Sequence, residues 1–383
     1  MVESALRTKQ VGEYYFSGKL SVIREMIADG DDIINMGIGS PDMTPPGQVI
    51  DALRSSMYDD GAHAYQPYRG IDELRRAMSD WYHRYYDFTP DPVSQVLPLI
   101  GSKEGILHIS MAFLDSGDAV LVPDTGYPAY ATAARICGAR CVHYDLDENN
   151  NWMPDLKSIE QNGMKGIKLM WVNYPNMPSG MRPADSLFRE LADFARRHNI
   201  LVVNDNPYSF ILNNEPRTIL AADKSLENVL ELNSLSKSHN MAGWRLGMVV
   251  GHEDHINNIL KIKSNMDSGM FLPVQKAAIE ALRTGQEWYD NLNKIYALRQ
   301  RMTYELLDGL ACSTREDQTG MFLWSGIPDA FADSNEFSDY CLHRYGIFIT
   351  PGLVFGQNGS RHIRASLCIN EARINEAIKR VKK

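Results

Sequence analysis

A lysine, an aspartate and a tyrosine follow apolar runs in this chain, and such residues can perform nucleophilic and acid–base chemistry. Lys237 comes after Ser234-Leu-Ser, and Arg245 closes the small-residue loop that begins there. Most lysines are solvated surface charges, but a lysine that follows a buried strand in a loop of small residues is less often one, and an amine there could act as a nucleophile or a base. Asp205 ends the run Ile-Leu-Val-Val-Asn, with Tyr208 three residues later. A carboxylate there is as often a turn former as a functional group.

Ser102 stands where an apolar run gives way to a helical pattern. The unpaired N–H groups and the dipole of a helix N-terminus attract anions, so Ser102 is a candidate phosphate contact. A serine that only caps the helix is the commoner case. The residue type alone leaves both interpretations open.

The elements that position these side chains follow an α/β pattern. Apolar runs separated by amphipathic helical stretches predict a largely parallel sheet. In such sheets, ligands gather at the carboxyl ends of the strands, where the residues above are found. The predicted strands are 96–100, 119–122, 167–172, 200–203, 229–232 and 246–250. The predicted helices are 17–29, 71–85, 183–198 and 286–309.

The length of 383 residues predicts two domains. Residues 46–285 form the predicted large domain, and 286–383 a long linking helix and a small α+β domain. Residues 1–45 are expected to be an arm and a segment that joins the small domain, with 1–16 irregular. The aromatic residues Tyr14, Tyr15 and Phe16 either line the entrance to a site or pack on a partner subunit.

Composition excludes several classes of function. The net charge is −9 and no basic block offsets it, so nucleic acid and anionic membranes are poor partners. We expect no membrane span, no signal peptide and a cytoplasmic location. The five scattered cysteines predict reduced thiols and no metal site. The pair Gly37-x-Gly39 lacks the third glycine of a dinucleotide-binding fingerprint and therefore gives little support for a nucleotide site.

Residues 234–247, SLSKSHNMAGWRLG, closely resemble the lysine signature of class I/II aminotransferases, which are fold-type I pyridoxal-phosphate (PLP) enzymes. The resemblance runs from about residue 30 to the C-terminus and keeps the family's order of motifs. It implies a large PLP-binding domain, built on a mostly parallel seven-stranded sheet between helices, and a smaller α+β domain. The other matching segments are 65–70, 101–105, 123–130, 173–180, 204–208, 264–275 and 350–367.

The resemblance implies the catalytic roles. Lys237 matches the lysine that holds PLP as a Schiff base and then moves a proton on the substrate. Asp205 matches the carboxylate that keeps the pyridine nitrogen protonated, and Tyr208 the phenol that bonds O3′. Arg364 matches the arginine that clamps the substrate α-carboxylate with two parallel hydrogen bonds, and Gly39 a backbone contact beside it.

The resemblance also implies the rest of the cofactor site. Arg245 matches the phosphate-binding guanidinium, and Tyr127 the aromatic side chain stacked on the ring. Tyr65 matches a tyrosine that reaches the phosphate of the other subunit, which implies a homodimer with shared active sites. The remaining positions of the phosphate cradle are Gly101, Ser102, Lys103, Ser234 and Ser236.

One position departs from the family motif Asn-x-Pro-x-Asn-Pro-Thr-Gly, whose second Asn donates a hydrogen bond to O3′. Here that position is Met177, and a thioether cannot donate. In an extended segment Asn173 and Met177 share a face while Asn176 points away. Either Asn173 supplies the missing donor, or Tyr208 or a water suffices.

The family scaffold also supports other activities. A carbon–sulfur β-lyase or a cyclopropane-forming synthase uses the same cofactor chemistry. A non-catalytic sensor of this fold usually carries an additional DNA-binding domain, for which the first 30 or so residues leave little room. We expect a transaminase that transfers an amino group from an L-amino acid to a 2-oxo acid by a ping-pong mechanism. Loops 38–42 and 267–271 resemble the aspartate, alanine and LL-diaminopimelate branch, and the sequence does not identify the substrate side chain.

Overall fold

The computed structural model describes residues 1–12 and 15–382, so Tyr14, one of the three aromatic residues expected either at a site entrance or on a partner subunit, lies outside the described residues. The strands of the described chain are β1 (Ile34–Asn35), β2 (Val96–Leu99), β3 (Ala119–Asp124), β4 (Arg140–Asp145), β5 (Ile167–Val172), β6 (Leu201–Asp205), β7 (Val229–Ser234), β8 (Gly247–Gly251), β9 (Ser313–Thr314), β10 (Phe322–Gly326), β11 (Ile347–Phe348), β12 (Thr350–Pro351) and β13 (His362–Ser366). Its helices are α1 (Leu6–Gln10), α2 (Tyr15–Ala28), α3 (Gly47–Ser56), α4 (Asp72–Tyr86), α5 (Ser102–Phe113), α6 (Ala129–Ile136), α7 (Leu156–Gln161), α8 (Leu187–His198), α9 (Leu235–Ser238), α10 (Glu253–Lys263), α11 (Leu272–Arg283), α12 (Gln286–Gly309), α13 (Ser334–Tyr345) and α14 (Glu371–Val381).

A seven-stranded sheet at the centre of the described chain has the strand order β2-β8-β7-β6-β5-β3-β4. The pairs from β7 through β4 are parallel, and β8 runs antiparallel to both of its neighbours. Strands β2, β6, β7 and β8 are buried along their whole length, as expected when helices cover both faces of a sheet. The predicted α/β fold with a mostly parallel seven-stranded sheet is confirmed.

Strand β4 is the member of this sheet that the apolar pattern did not predict. It lies at the edge and pairs with β3 alone. Arg140, His143 and Asp145 on β4 are exposed, whereas Tyr144 is buried. An edge strand with polar residues on its exposed side has no continuous apolar run, and a search for such runs misses it.

The predicted helices are present, with bounds that differ by a few residues. Helix α4 carries two acidic residues in its first turn and ends at Asp87, which has a left-handed conformation (φ 49°). Its buried face packs Leu74, Met78 and Trp81 into the core, and the Trp81 indole donates to the Tyr289 hydroxyl on α12 at 3.0 Å. Helix α12 has the predicted bounds, and α8 begins later than predicted.

The C-terminal part forms a second, antiparallel sheet of order β12-β13-β10-β9 in the described chain, with α13 and α14 beside it. Strand β1 crosses from the N-terminal segment to pair with β11. The predicted domain boundaries at residues 45 and 285 stay a prediction. The prediction that residues 1–16 are irregular is wrong at α1 and at the start of α2, because both segments form helical turns.

All five cysteines are free thiols. Across residues 1–12 and 15–382, no helix combines the length and the apolar character needed to cross a bilayer.

Candidate active site

A cavity of about 560 Å³ opens where β3, β5, β6 and β7 end. Since parallel strands place their carboxyl ends at one edge, residues far apart in sequence meet there. Twelve of the fourteen predicted site residues line it: Gly39, Ser102, Lys103, Tyr127, Asn173, Asp205, Tyr208, Ser234, Ser236, Lys237, Arg245 and Arg364. The other two, Gly101 and Tyr65, are not part of the lining.

Lys237 lies on the single helical turn α9, which follows β7 directly. The Ser234 hydroxyl caps this turn by accepting a hydrogen bond from the Ser236 N–H at 3.1 Å. The Lys237 ammonium contacts the Gly39 carbonyl at 2.5 Å. Burial lowers the pKa of Lys237, because the charged form loses its hydration. The cavity therefore contains an amine that loses its proton more readily than an exposed lysine.

Asp205 is the last residue of β6 and is 5 % exposed. The Tyr130 hydroxyl donates to its Oδ2 at 2.8 Å, whereas Oδ1 has no hydrogen-bond partner among the described residues. Burial raises the pKa of Asp205 to about 6. An unpaired buried carboxylate oxygen is costly, so it marks a place where a ligand donor is missing.

Tyr130 is a site residue that the sequence analysis missed. It lies three residues after Tyr127 at the start of α6, and the two rings meet edge to face at 5.7 Å. Tyr127 stands just before α6, and the Tyr130 N–H donates to the Tyr127 carbonyl at 3.2 Å, so a single turn brings the two side chains together.

The start of α5 forms one end of the cavity together with Arg245. Gly101 occupies the cap position with φ +82°, so Ser102 is the first helical residue and does not cap the helix. A Cβ on Gly101 would lie 2.2 Å from Arg245 Nη2, which means that only glycine lets the guanidinium approach this closely. The hydroxyls of Ser234 and Ser236, 2.9 Å apart, complete an arrangement suited to a phosphate.

Arg364, on β13, lies at the other end of the cavity. Its Nη2 donates to the Gly37 carbonyl at 2.8 Å, and Nη1 contacts the Met177 sulfur at 3.2 Å. The guanidinium carbon is 3.9 Å from the centre of the Phe322 ring and 4.7 Å from that of Phe355. Aromatic faces of this kind hold a guanidinium by cation–π attraction. Neither of these two aromatic residues was predicted as a site residue from the sequence.

The segment with the motif departure has the predicted alternation. Asn173 and Met177 both line the cavity. Asn176 turns into its own loop, where its Oδ1 accepts from the Ser179 N–H and hydroxyl. The Asn173 amide donates to the Asp205 carbonyl, and its Oδ1 accepts from the Met177 N–H at 2.8 Å.

Tyr65 is 90 % exposed and does not line the cavity of its own chain. Phe16, from the predicted entrance, does line it, and its ring centre lies 5.5 Å from the Arg364 guanidinium carbon. Tyr15 packs edge to face against Phe16.

A group of potential metal ligands includes two residues of α5. Atoms of Glu104, His108 and Asp267 lie within 4.8 Å of one another. The buried Lys263 ammonium is 2.8 Å from Asp267 Oδ2 and already balances that charge. We therefore interpret the group as an ion-pair cluster.

The residues fit PLP at each of its functional groups. The start of α5, the two serines and Arg245 suit a phosphate, and Tyr127 offers an aromatic face. The unpartnered Oδ1 of Asp205 suits a protonated pyridine nitrogen. A buried amine with a lowered pKa suits an aldehyde.

Comparison with known proteins agrees with this geometry. The family described as aminotransferase class I and II matches residues 31–381. An LL-diaminopimelate aminotransferase of Halothermothrix orenii is 36% identical over 383 residues, which are 100% of this chain and 98% of that protein. Substrate-bound BacF from Bacillus subtilis superposes with a TM-score of 0.95 at 32% identity, covering 100% of this chain and 98% of that one.

A further structure, a probable N-succinyldiaminopimelate aminotransferase from Thermus thermophilus, has a TM-score of 0.89 at 30% identity, covering 96% of this chain and 99% of that one. The match spans both the large sheet and the C-terminal sheet. The chain therefore belongs to the aminotransferase class I and II family and is a PLP-dependent aminotransferase.

Proposed function

We propose that the cavity at the strand ends is the active site and that Lys237 is its central residue. The observation that carries this proposal is the buried Lys237 amine, whose pKa is lowered, beside a buried carboxyl with an unpartnered oxygen. When bound, PLP supplies an electron sink for the electrons left on the substrate Cα. The protein's part is to hold, orient and deprotonate.

Each predicted cofactor contact has a place in this proposal. Asp205 would pair with the pyridine nitrogen of the bound cofactor, while Tyr130 holds its Oδ2. Tyr208 would donate to O3′, and Tyr127 would cover one face of the ring. The phosphate is bound by Arg245, Ser102, the Lys103 N–H, Ser234 and Ser236, with Gly101 leaving room for the guanidinium.

Lys237 would serve as the base that takes the proton from the substrate Cα and delivers it to C4′ of the cofactor. Burial lowers the pKa of Lys237, so the amine gives up its proton more readily than an exposed lysine, as a base requires. Amino acid and 2-oxo acid both carry an α-carboxylate, so the single clamp Arg364 serves both halves of a ping-pong reaction.

We also propose a homodimer with shared active sites. Tyr65 is too exposed to serve its own cavity, and other large apolar side chains of the chain are exposed as well: Met57 43%, Tyr58 89%, Tyr68 48%, Met266 58% and Phe271 44%. Large apolar side chains left exposed are candidates for an interaction surface. Sedimentation of the holoenzyme tests this, and a fully active monomer contradicts it. The five free thiols support a cytoplasmic location.

The walls of the cavity favour an amino donor with an apolar side chain. The apolar part of the lining includes Phe16, Leu20, Ile38 and Phe322. A substrate held at Arg364 by its α-carboxylate has this apolar surface within reach, which rewards burial of an aliphatic or aromatic group.

LL-diaminopimelate is the second candidate donor, because the relatives at 36% identity carry that name. Its distal end is charged and needs polar partners that this apolar wall does not offer among the described residues. A panel of donors with 2-oxoglutarate as acceptor separates the candidates. Phenylalanine, leucine and methionine represent the apolar class, and LL-diaminopimelate and aspartate the charged class.

The half-reaction tests the activity itself. An accepted donor converts the bound cofactor's visible absorbance to the near-ultraviolet in one turnover, and 2-oxoglutarate reverses the change. A lyase instead releases ammonia continuously without an acceptor. Continuous release would contradict the proposal.

Lys237→Ala is expected to lower kcat by roughly 10⁴-fold or more, because both the covalent link and the base are lost. Borohydride reduction followed by peptide mapping is expected to find the cofactor fixed on Lys237. Lys103→Ala is the matched control, since Lys103 lines the same cavity and its removal leaves the fixation on Lys237. Fixation on another lysine in the wild type would overturn the assignment.

A further inference from the structure

The segment from Met36 to Asp42 borders the cavity and is held through three consecutive carbonyl groups. Two of these contacts involve residues of the proposed active site, Arg364 and Lys237. The segment therefore determines where the carboxylate clamp and the central lysine stand relative to each other. The contacts are Gly37 O with Arg364 Nη2 and Thr350 Oγ1 at 2.8 Å each, Ile38 O with Ser366 Oγ at 2.8 Å, and Gly39 O with Lys237 Nζ at 2.5 Å.

Arg299 anchors this segment from α12, where it is 3% exposed. Its Nη1 and Nη2 contact the two carboxylate oxygens of Asp42 at 2.6 and 2.9 Å. Its Nε donates to Glu371 at 2.8 Å, and Nη1 also reaches the Leu367 carbonyl at 3.2 Å. A bidentate pair fixes orientation as well as distance, so Arg299 is a rigid connection.

Asp42 and Leu367, which Arg299 contacts, lie at the same distance in sequence from a proposed site residue. Asp42 lies three residues after Gly39, and Leu367 lies three residues after Arg364. One buried guanidinium thus ties together the segment beside the cavity and the strand that carries the clamp. Arg299 itself is not among the residues that line the cavity.

We propose that Arg299 is a positioning residue for substrate binding: it sets the distance between the 37–39 carbonyls and Arg364, and so the affinity for the α-carboxylate. The proposal rests on the proposed role of Arg364 as the carboxylate clamp. Lysine at 299 keeps the charge but cannot make the paired bonds to Asp42 while reaching Glu371 and Leu367.

The chain offers a matched control in a second bidentate pair. Arg373 on α14 contacts both carboxylate oxygens of Asp32 at 2.6 and 3.2 Å and the Ile33 carbonyl at 3.2 Å. This pair ties the residues just before that segment to α14 in the C-terminal part of the chain. The Asp32 side chain is 63% exposed and lies outside the cavity, so the pair has no part in orienting Arg364.

The experiment compares Arg299→Lys, Arg373→Lys and Arg364→Lys as holoenzymes with an accepted donor and 2-oxoglutarate. Arg299→Lys is expected to raise KM for both substrates about tenfold or more while kcat changes far less. Arg299 contacts the chain directly after the strand that carries Arg364, whereas Lys237 is carried by α9 and touches the segment only through the Gly39 carbonyl. The visible absorbance of the bound cofactor is expected to stay that of the wild type. Arg373→Lys is expected to leave KM unchanged.

The outcomes separate this inference from the proposed function. Unchanged KM in Arg299→Lys beside a raised KM in Arg364→Lys overturns the positioning role and leaves the clamp intact. Unchanged KM in both variants overturns the clamp assignment itself. An equal rise in Arg373→Lys shows a general structural effect and also overturns the inference. If Arg299→Lys does not fold, Asp42→Asn removes the same bidentate pair from its acceptor side, and the same KM criteria apply.

Discussion

Two buried carboxyl groups on neighbouring strands differ in how fully the protein satisfies them. Glu231, inside β7, accepts from the hydroxyls of Tyr82 and Thr218 at 2.9 Å each, the Ile219 N–H at 3.2 Å and the Asn204 amide at 3.3 Å. Asp205, at the end of β6, accepts one side-chain bond, and its Oδ1 has no partner in the described chain. The strand that ends at Asp205 pairs directly with the one that contains Glu231.

Burial alone does not separate their roles. It raises the pKa of Asp205 to about 6 and that of Glu231 to about 7. The difference lies in the hydrogen-bond donors. Both oxygens of Glu231 accept hydrogen bonds. Asp205 lines the cavity, and its Oδ1 has no donor among the described residues. A completed buried network stabilises the fold, and an incomplete one at a strand end prepares a ligand site.

Substituting each of the two carboxyl groups tests this difference in role most directly. Asp205→Asn is expected to lower kcat by roughly 10³-fold, because an amide cannot keep a pyridine nitrogen protonated. The measurement is kcat at saturating substrate, with cofactor occupancy checked by absorbance. Glu231→Gln is the matched control and is expected to keep most of its activity. Near-normal turnover in Asp205→Asn, or an equal loss in a folded Glu231→Gln, would show that the two carboxyls do not differ in role.

An effect of intermediate size is expected for Glu231→Gln on the free energy of unfolding and on its pH dependence. Glu231→Gln is expected to lower the free energy of unfolding by about 1–3 kcal/mol at pH 5, because the amide NH₂ group faces donors. The folded-state pKa of Glu231 is raised from 4.5 to about 7, so the folded protein keeps a proton that the unfolded chain releases. The stability that this group contributes is complete below about pH 4.5 and is lost as pH rises through 7.

The gap between wild type and Glu231→Gln is therefore expected to narrow from pH 5 to pH 8. Urea unfolding of both holoenzymes at several pH values measures it. Glu305→Gln, at a largely exposed position on α12, is the control and is expected to show no such trend. A gap that stays constant from pH 5 to pH 8 would mean that Glu231 is ionised in the folded state throughout that range.

The sequence predicted the residues whose position depends on local rules. Asp205 and Lys237 each follow a buried strand, and strands of a parallel sheet bring such residues to one edge. Ser102 was predicted in the same way, from the strand that precedes it. Their location at this edge follows from the period of the apolar residues and the direction of the chain, whereas the roles expected of them came from the resemblance to the family.

Contacts between distant segments were out of reach. Phe322 meets Arg364 because β10 pairs with β13, and Arg299 meets Asp42 across 257 positions of sequence. Neither pair has a local signature. The edge strand β4 was missed for a related reason, since its polar face reflects exposure that only the finished sheet defines.

The smallest effect is expected at Met177, where the chain lacks the family's donor. The backbone N–H of Met177 holds Asn173 Oδ1 at 2.8 Å, and this contact turns the Asn173 amide nitrogen towards Asp205. A backbone contact does not depend on the side chain at 177, so Met177→Asn leaves Asn173 in place. One of the two N–H groups of the Asn173 amide donates to the Asp205 carbonyl, and we propose that the second donates to O3′ of the cofactor.

Met177→Asn is then expected to shift the pH midpoint of the bound cofactor's visible absorbance only slightly, with a small change in KM from the lost sulfur contact to Arg364. Asn173→Ala is expected to raise that midpoint, because a lost hydrogen bond destabilises the deprotonated form. Met177→Leu, which removes the sulfur without adding a donor, separates the two consequences. A large fall of the midpoint in Met177→Asn, with no change in Asn173→Ala, would show instead that O3′ has one donor fewer here than in the family motif.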